Sequence, residues 1–257
     1  MVPTRLTRRL VVELHGIKGE VVYHQAHSIP TNTFVIQLPE ERSLLSSAQG
    51  YKKARIIFNC YIPKPLDEYL QIKPRVSLGY SREMLKDVLN EYGTSFNRVV
   101  CLSTGVDMEN LAWTEEALED LWVVAFVTAG VKNNAIRIGK DRASGIEWNG
   151  LFKCFGTINI ILLTNVSLNQ PALASSFITI TEAKNVALEE LDIRSSYTPE
   201  WKATGTGTDQ VITVSGTGGE CAFVQGHTKI GEMMGRAVTR AMIEAIKKSS
   251  GLFQGRG

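Results

Sequence analysis

The stretch ATGTGTD, Ala203 to Asp209, puts three hydroxyls, two glycines and a carboxylate within seven residues. Glycine lets backbone come close to a ligand, and a threonine hydroxyl both donates and accepts hydrogen bonds. Gly205, Gly207, Thr204, Thr206, Thr208 and Asp209 are therefore equipped to grip a polar organic molecule. They make a poor phosphate cradle: the lysine of a G-x-x-x-x-G-K-[ST] loop is missing, and Asp209 would repel an anion. G-x-G-x-x-G is absent too, and the loop precedes a strand instead of joining a strand to a helix. The competing reading is a Gly-rich turn whose threonines satisfy local backbone groups.

Three further side chains could do chemistry. His227, in GHTKIGE, is the sole histidine after His27; an imidazole titrates near neutral pH and can carry a proton either way. It also sits directly before a helix, where Thr228 or His227 itself could serve as the cap. Lys184 falls in the middle of an apolar helical stripe with Ile180, Ala187 and Leu188. A lone buried ammonium is costly, so Lys184 must either snorkel to water or meet a carboxylate. Glu182 points almost the opposite way, so the two do not pair within the helix. His15, His24 and His27 fall on strands and read as structural or exposed. No zinc triad is visible from spacing.

The elements that position these groups read as follows. RLVVELH, EVVYHQAH, TFVIQL and ARIIFNCYI form a strand-rich opening punctuated by Gly16, Gly19, Pro30 and Asn32. SREMLKDVLNEYG is a helix carrying Met84, Leu85, Val88 and Leu89, capped by Ser81 and stopped at Gly93. RVVCLSTG, MENLAWTEEALED and LWVVAFVTAG then read as strand, helix, strand. LWVVAFV and TINIILLTN lack polar alternation and are expected to be central strands. From Pro171 to Leu191 the period is helical, with Leu173, Phe177, Ile180, Lys184, Ala187 and Leu191 on one face. QVITVSG and the shorter ECAFVQG are strands. A last helix runs from Thr228 to Lys248 with Ile230, Met233, Met234, Ala237, Val238, Ala241 and Ala245 inward, and ends before Gly251; the tail GLFQGRG frays.

The expected fold is α/β, a mixed β-sheet flanked by helices in one domain over 1–257. Its strand-rich N-terminal part covers about 1–65 and its motif-bearing part about 97–248. A chain of 257 residues can bury a substantial core, and 28 basic against 26 acidic residues gives a formal charge of +2, which offers nucleic acid no strong field. Cys60, Cys101, Cys154 and Cys221 are widely spaced and read as reduced thiols. Glu13 interrupts the short apolar run at the amino end, and no run approaches the roughly 20 apolar residues of a membrane span. A soluble, cytoplasmic protein without membrane or nucleic-acid partners is expected.

Five stretches occur in one order: TAGVKNNAIRIGKD (Thr128 to Asp141), GTINI (Gly156 to Ile160), TEAK (Thr181 to Lys184), ATGTGTD, and GHTKIGE (Gly226 to Glu232). Over roughly Val99 to Ala245 the chain thereby resembles the adenosylcobinamide amidohydrolase family of corrinoid salvage. One departure is that Lys140 separates Gly139 from Asp141. The resemblance implies hydrolysis of the amide joining the aminopropanol arm to the corrin, with a small-molecule corrinoid as substrate and no cofactor. A catalytic metal held by His227 with acidic residues stays open, as does a homo-oligomer. In the mechanism it suggests, His227, Glu182 or Asp209 activates water and later protonates the amine, while Lys184 or loop amides hold the oxyanion. Asn134, Arg137, Asp141, Asn159, Thr204, Thr206, Thr208 and Glu232 would contact the corrinoid. A covalent route through Thr206 or Thr208 is the variant; a non-catalytic corrinoid-binding or sensing protein is the alternative. Asp209 is expected beside His227.

Overall fold

Two-residue turns organise the opening strands. In the computed structural model, which describes residues 6–71, 82, 84–142 and 157–251, His15 and Gly16 have φ of 52° and 72°, and His27 and Ser28 of 52° and 65°. Positive φ at both central residues is the type I′ signature, whose twist suits antiparallel neighbours. β1 (Thr7–Leu14), β2 (Ile17–Ala26) and β3 (Ile29–Ser46) accordingly form a meander. His15 and His27 thus sit in turns and not on strands, because left-handed backbone is needed there; His24 is on β2, buried, with Nε2 2.9 Å from the Thr33 hydroxyl.

The described residues pack as two compact units, one comprising 6–41, 53–71, 82 and 84–109, the other 42–52, 110–142 and 157–251. In the first, β4 (Gly50–Tyr61) pairs with β3 and runs parallel to β5 (Val99–Thr104). α1 (Lys64–Gln71) and α2 (Lys86–Glu91) accompany them. Val22, Val35, Phe58, Leu66, Leu85, Val88 and Val99 make their common core. Gly93, with φ of 57°, ends the α2 segment as its sequence suggests, and the Ser81 cap lies outside the described residues.

In the second unit β12 (Gln210–Val214) lies between the last residues of β3 and β9 (Ile158–Thr164), antiparallel to the former and parallel to the latter. β7 (Leu121–Ala129) follows antiparallel to β9, and β6 (Ala112–Leu118) antiparallel to β7. β7 and β9 are buried along almost their whole lengths, as their unbroken apolar runs require. The sheet is mixed, and the fold is α/β with a strand-rich N-terminal part.

MENLAWTEEALED is not a helix. Met108–Asn110 makes a single 3-10 turn and the rest is β6, joined to β7 by Glu119 and Asp120, with Glu119 at φ of 52°. Glu, Ala and Leu are good helix formers, but propensity is readily overridden by tertiary context, and seven pairings with β7, with Ala112 and Trp113 opposite Val127 and Phe126, outweigh it.

α3 (Gln170–Glu190) begins where the sequence places it: Pro171 is in the first turn and the Asn169 side chain accepts from Ala172 N. It ends in a Schellman arrangement, Ile193 N donating to Leu188 O and Asp192 N to Glu189 O, with Asp192 in the left-handed region. β10 (Ser167–Leu168) leads into α3 and pairs with β13 (Glu220–Cys221), the short remnant of the strand expected over ECAFVQG. α4 (Lys229–Ser250) is capped by Thr228, whose hydroxyl accepts from Gly231 N at 3.1 Å, and closes on Gly251. It packs on β7 and β6 and beside α3, burying the stripe from Ile230 through Met234 and Val238 to Ala245. Two further strands, β8 (Ala135–Ile136) and β11 (Gly205–Thr206), pair with each other.

Candidate active site

Lys184 is buried on α3, and its ammonium meets the carboxylate of Asp209, Nζ to Oδ2 at 2.5 Å. Of the two outcomes open to a lysine in an apolar stripe, this chain takes the ion pair. The other carboxylate oxygen, Oδ1, accepts from Thr206 N at 3.0 Å, from the Thr206 hydroxyl at 2.5 Å and from Ile158 N at 3.4 Å. Asp209 is therefore the hub of the Thr-Gly loop: it closes the loop on itself, ties it to the first residue of β9 and holds Lys184.

Gly205 makes this possible. A Cβ there would lie 2.6 Å from Lys184 Nζ and closer still to Asp209 Oδ2. The close approach the glycine permits is thus to the protein's own ion pair. Gly207 beside it is exposed, and Thr208 and Asp209 are half-buried, so the pair lies close to the surface of the loop.

A second loop is sewn to the first. β8 pairs with β11, Gly205 opposite Ile136 and Thr206 opposite Ala135. The Thr204 hydroxyl accepts from Ile138 N at 3.0 Å, and Thr204 N donates to Ile136 O. Arg137 reaches the Lys202 carbonyl at 3.2 Å, and the Tyr197 hydroxyl donates to Asn134 Oδ1 at 3.3 Å. Asp141 folds this loop: its Oδ2 accepts from Arg137 N and from the Ser195 hydroxyl, both at 2.6 Å. The Arg137 amide first, and then Ser195, hold the Asp141 carboxyl below the ordinary carboxylate range.

The structure therefore brings together Lys184, Asp209, Thr204 and Thr206, with Asn134, Arg137 and Asp141 on the adjoining loop. Asn159 is fully buried on β9 next to this centre, and Thr157 links the two: its hydroxyl donates to the Thr208 carbonyl at 2.5 Å and lies 3.3 Å from Asn159 Oδ1. Thr157, Ser195 and Tyr197 are the participants that the sequence did not single out. Thr157 stands in TINI immediately before the buried run, and Ser195 carries no signal beyond its place after α3.

Three of the expected residues stand outside this hydrogen-bonded set. Glu182 is exposed on the outer face of α3. Glu232 lies in the first turn of α4, bonded to Lys229 and to Arg236, the latter at 2.9 Å; Lys229 first and Arg236 second keep its carboxyl low. His227 is exposed in the turn before α4, and Thr228, not His227, is the cap. The segment carrying His227 leaves β13, which pairs with β10 just beyond the C-terminal end of β9, whereas Asp209 is bonded to the N-terminal end of β9. Seven strand residues, roughly 20 Å, separate those anchor points. Between β13 and α4 the Val224 carbonyl accepts from Thr179, in the middle of α3.

Among the described residues no cluster of three or more His, Cys, Asp or Glu is arranged to hold a metal ion, and no helix is long and apolar enough to cross a membrane. The arrangement can supply a fixed ammonium, a carboxylate already bonded to a hydroxyl, and hydrogen-bonding side chains on the adjoining loop. That is the equipment of acyl chemistry on a polar substrate.

A family model described as adenosylcobinamide amidohydrolase matches residues 16–254. A protein of Methanosarcina mazei named adenosylcobinamide amidohydrolase is 35% identical over 231 residues, covering 86% of this chain and 95% of that one. An uncharacterized protein of Methanocaldococcus jannaschii is 41% identical over 231 residues, covering 85% and 87%. Among solved structures, the L-aminopeptidase D-Ala-esterase/amidase of Ochrobactrum anthropi overlaps 91% of this chain and 84% of its own at 9% identity, with a TM-score of 0.40.

Proposed function

Because the chain belongs to the adenosylcobinamide amidohydrolase family, we propose that it hydrolyses the amide joining the aminopropanol arm of adenosylcobinamide to a propionate side chain of the corrin ring. The products are adenosylcobyric acid and 1-amino-2-propanol, and the reaction serves corrinoid salvage and cobamide remodelling in the cytoplasm. The observation that supports this reading is the Lys184–Asp209 pair, its lysine buried and its aspartate half-buried, in a Thr-Gly loop whose Gly207 is exposed.

Amide hydrolysis needs a stabilised oxyanion, a proton for the departing amine and an activated oxygen nucleophile. Lys184 spends one of its three N–H donors on Asp209 and has two left for the carbonyl oxygen as it gains charge. Asp209, in contact with both Lys184 and the Thr206 hydroxyl, carries the proton. His227 and Glu182 are assigned no step. Asn134, Arg137 and Thr208 contact the peripheral amides of the corrin, while Thr204, Asp141 and Asn159 hold the loops that present them. Glu232 is left to the helix that bears it.

Incubating the purified protein with adenosylcobinamide and quantifying free 1-amino-2-propanol by mass spectrometry tests the reading. Catalytic release is expected. Tight corrinoid binding with no release would instead make this a non-catalytic corrinoid binder.

A further inference from the structure

We infer that Thr206 is the covalent nucleophile of this centre, so that hydrolysis runs through an ester on its Oγ1; the inference rests on the amidohydrolase reading. Of the three loop threonines, Thr204 has its hydroxyl committed to Ile138 N, and Thr208 is anchored through its carbonyl to Thr157. The Thr206 hydroxyl is bonded to a carboxylate, 2.5 Å from Asp209 Oδ1. That carboxylate is in turn bonded through its other oxygen to Lys184. Hydroxyl, carboxylate and ammonium form one contiguous chain, and a hydroxyl becomes a useful nucleophile when a base adjacent to it can take its proton.

The same contacts argue against direct attack by a water on Asp209. Its two oxygens already accept four hydrogen bonds, from Thr206 N, the Thr206 hydroxyl, Ile158 N and Lys184, which is about the capacity of a carboxylate. A water could bind Asp209 only by displacing one of them, whereas Thr206 is in place. Thr206 is fixed on three sides: its backbone N bonds Asp209, β11 pairs it with Ala135, and Gly205 before it lies against the ion pair. Such fixation removes the orientational cost of attack.

The steps balance. Thr206 Oγ1 bonds to the amide carbon as its proton passes to Asp209 and the carbonyl electron pair moves to the oxygen facing Lys184. Collapse breaks the C–N bond, and the proton on Asp209 goes to the amine, which leaves as 1-amino-2-propanol. Water takes the place of the amine, gives a proton to Asp209 and attacks the ester. Thr206 recovers its proton as the corrinoid acid leaves, so one water is consumed per amide cleaved.

The experiment compares wild type, Thr206→Ser and Thr206→Val. Each is given adenosylcobinamide and acid-quenched at intervals for intact-mass and peptide analysis; melting temperature and adenosylcobinamide binding are measured in parallel. Wild type and Thr206→Ser should release amine and show a corrinoyl adduct confined to the peptide containing Thr206. Thr206→Val, which keeps the shape, should bind the corrinoid and melt normally yet lose turnover by about three orders of magnitude or more, with no adduct. Turnover by Thr206→Val within tenfold of wild type overturns the inference alone, as does an adduct mapped elsewhere or amine release in a single turnover with no adduct at any time. A Thr206→Val that does not fold leaves the adduct on wild type and Thr206→Ser to decide. Absence of amine release by wild type overturns the amidohydrolase reading and this inference with it.

Discussion

Substituting Gly205 with alanine should damage this protein out of proportion to one added methyl. The backbone at Gly205 does not need positive φ, so alanine adds no conformational strain. The new Cβ would instead sit 2.6 Å from Lys184 Nζ and nearer to Asp209 Oδ2, inside van der Waals contact of both partners of the ion pair. One must move by about an ångström, and the 2.5 Å contact is lost. Separating a buried pair leaves charges without compensation, at a cost of about 3–5 kcal/mol when one partner is removed outright. Here both remain and can rotate partly toward solvent, so about 2–3 kcal/mol is the reasonable figure. For a chain of this length that corresponds to roughly 5–10 °C in Tm. The assay is a thermal melt of wild type, Gly205→Ala, Asp209→Ala and the double variant, with amine release measured alongside. In the Asp209→Ala background the closer of the two clashes is gone, so the added alanine should cost less than about 0.5 kcal/mol and the cycle should show coupling. Strict additivity, or a Gly205→Ala protein with wild-type melting and turnover, would refute the reasoning.

Three other outcomes are expected. Asp209→Ala should destabilise more than Lys184→Met, because it strands a buried ammonium, whereas Asp209 without Lys184 keeps three donors; denaturant midpoints decide. His227→Ala should retain turnover within about threefold of wild type, while Thr228→Ala loses about 1 kcal/mol of stability with its cap; an effect of His227→Ala on turnover approaching a hundredfold would contradict the assignment of proton transfer to Asp209. Burial pushes the His24 imidazole down from 6.5 to about 4, so the folded state holds it neutral; that stability is complete above pH 6.5 and falls as pH drops toward 4, by up to about 3 kcal/mol. His24→Gln should flatten that slope in denaturant titrations at pH 7, 5.5 and 4.

The sequence disclosed this site unevenly, for physical reasons. Helix α3 was legible because Pro171 marks its start and its apolar residues keep one period over twenty positions. Lys184 was conspicuous within that period and required a carboxylate or an exit to water. Its partner was not legible, since Asp209 stands 25 residues away beyond the end of the helix, and only the return of the chain to β12 decides which carboxylate arrives. The Thr-Gly loop announced polar contacts but not that Gly205 makes room for an internal ion pair. β6 was misread because local propensity favoured a helix in TEEALED while pairing with β7 settled the matter. The expectation that Asp209 lies beside His227 followed from giving both a part in one proton-transfer mechanism, although 18 residues separate them. Residues so spaced can attach to opposite ends of one strand, and here their segments do.

The most direct test of the central claim is a single-turnover measurement on Asp209→Asn, which preserves shape and removes the charge that joins Lys184 to Thr206. With excess protein and limiting adenosylcobinamide, corrinoid binding should persist while release of 1-amino-2-propanol slows by two orders of magnitude or more, roughly the worth of a positioned proton carrier. Release at a rate within threefold of wild type would show that the Lys184–Asp209 centre is not where the amide is cleaved.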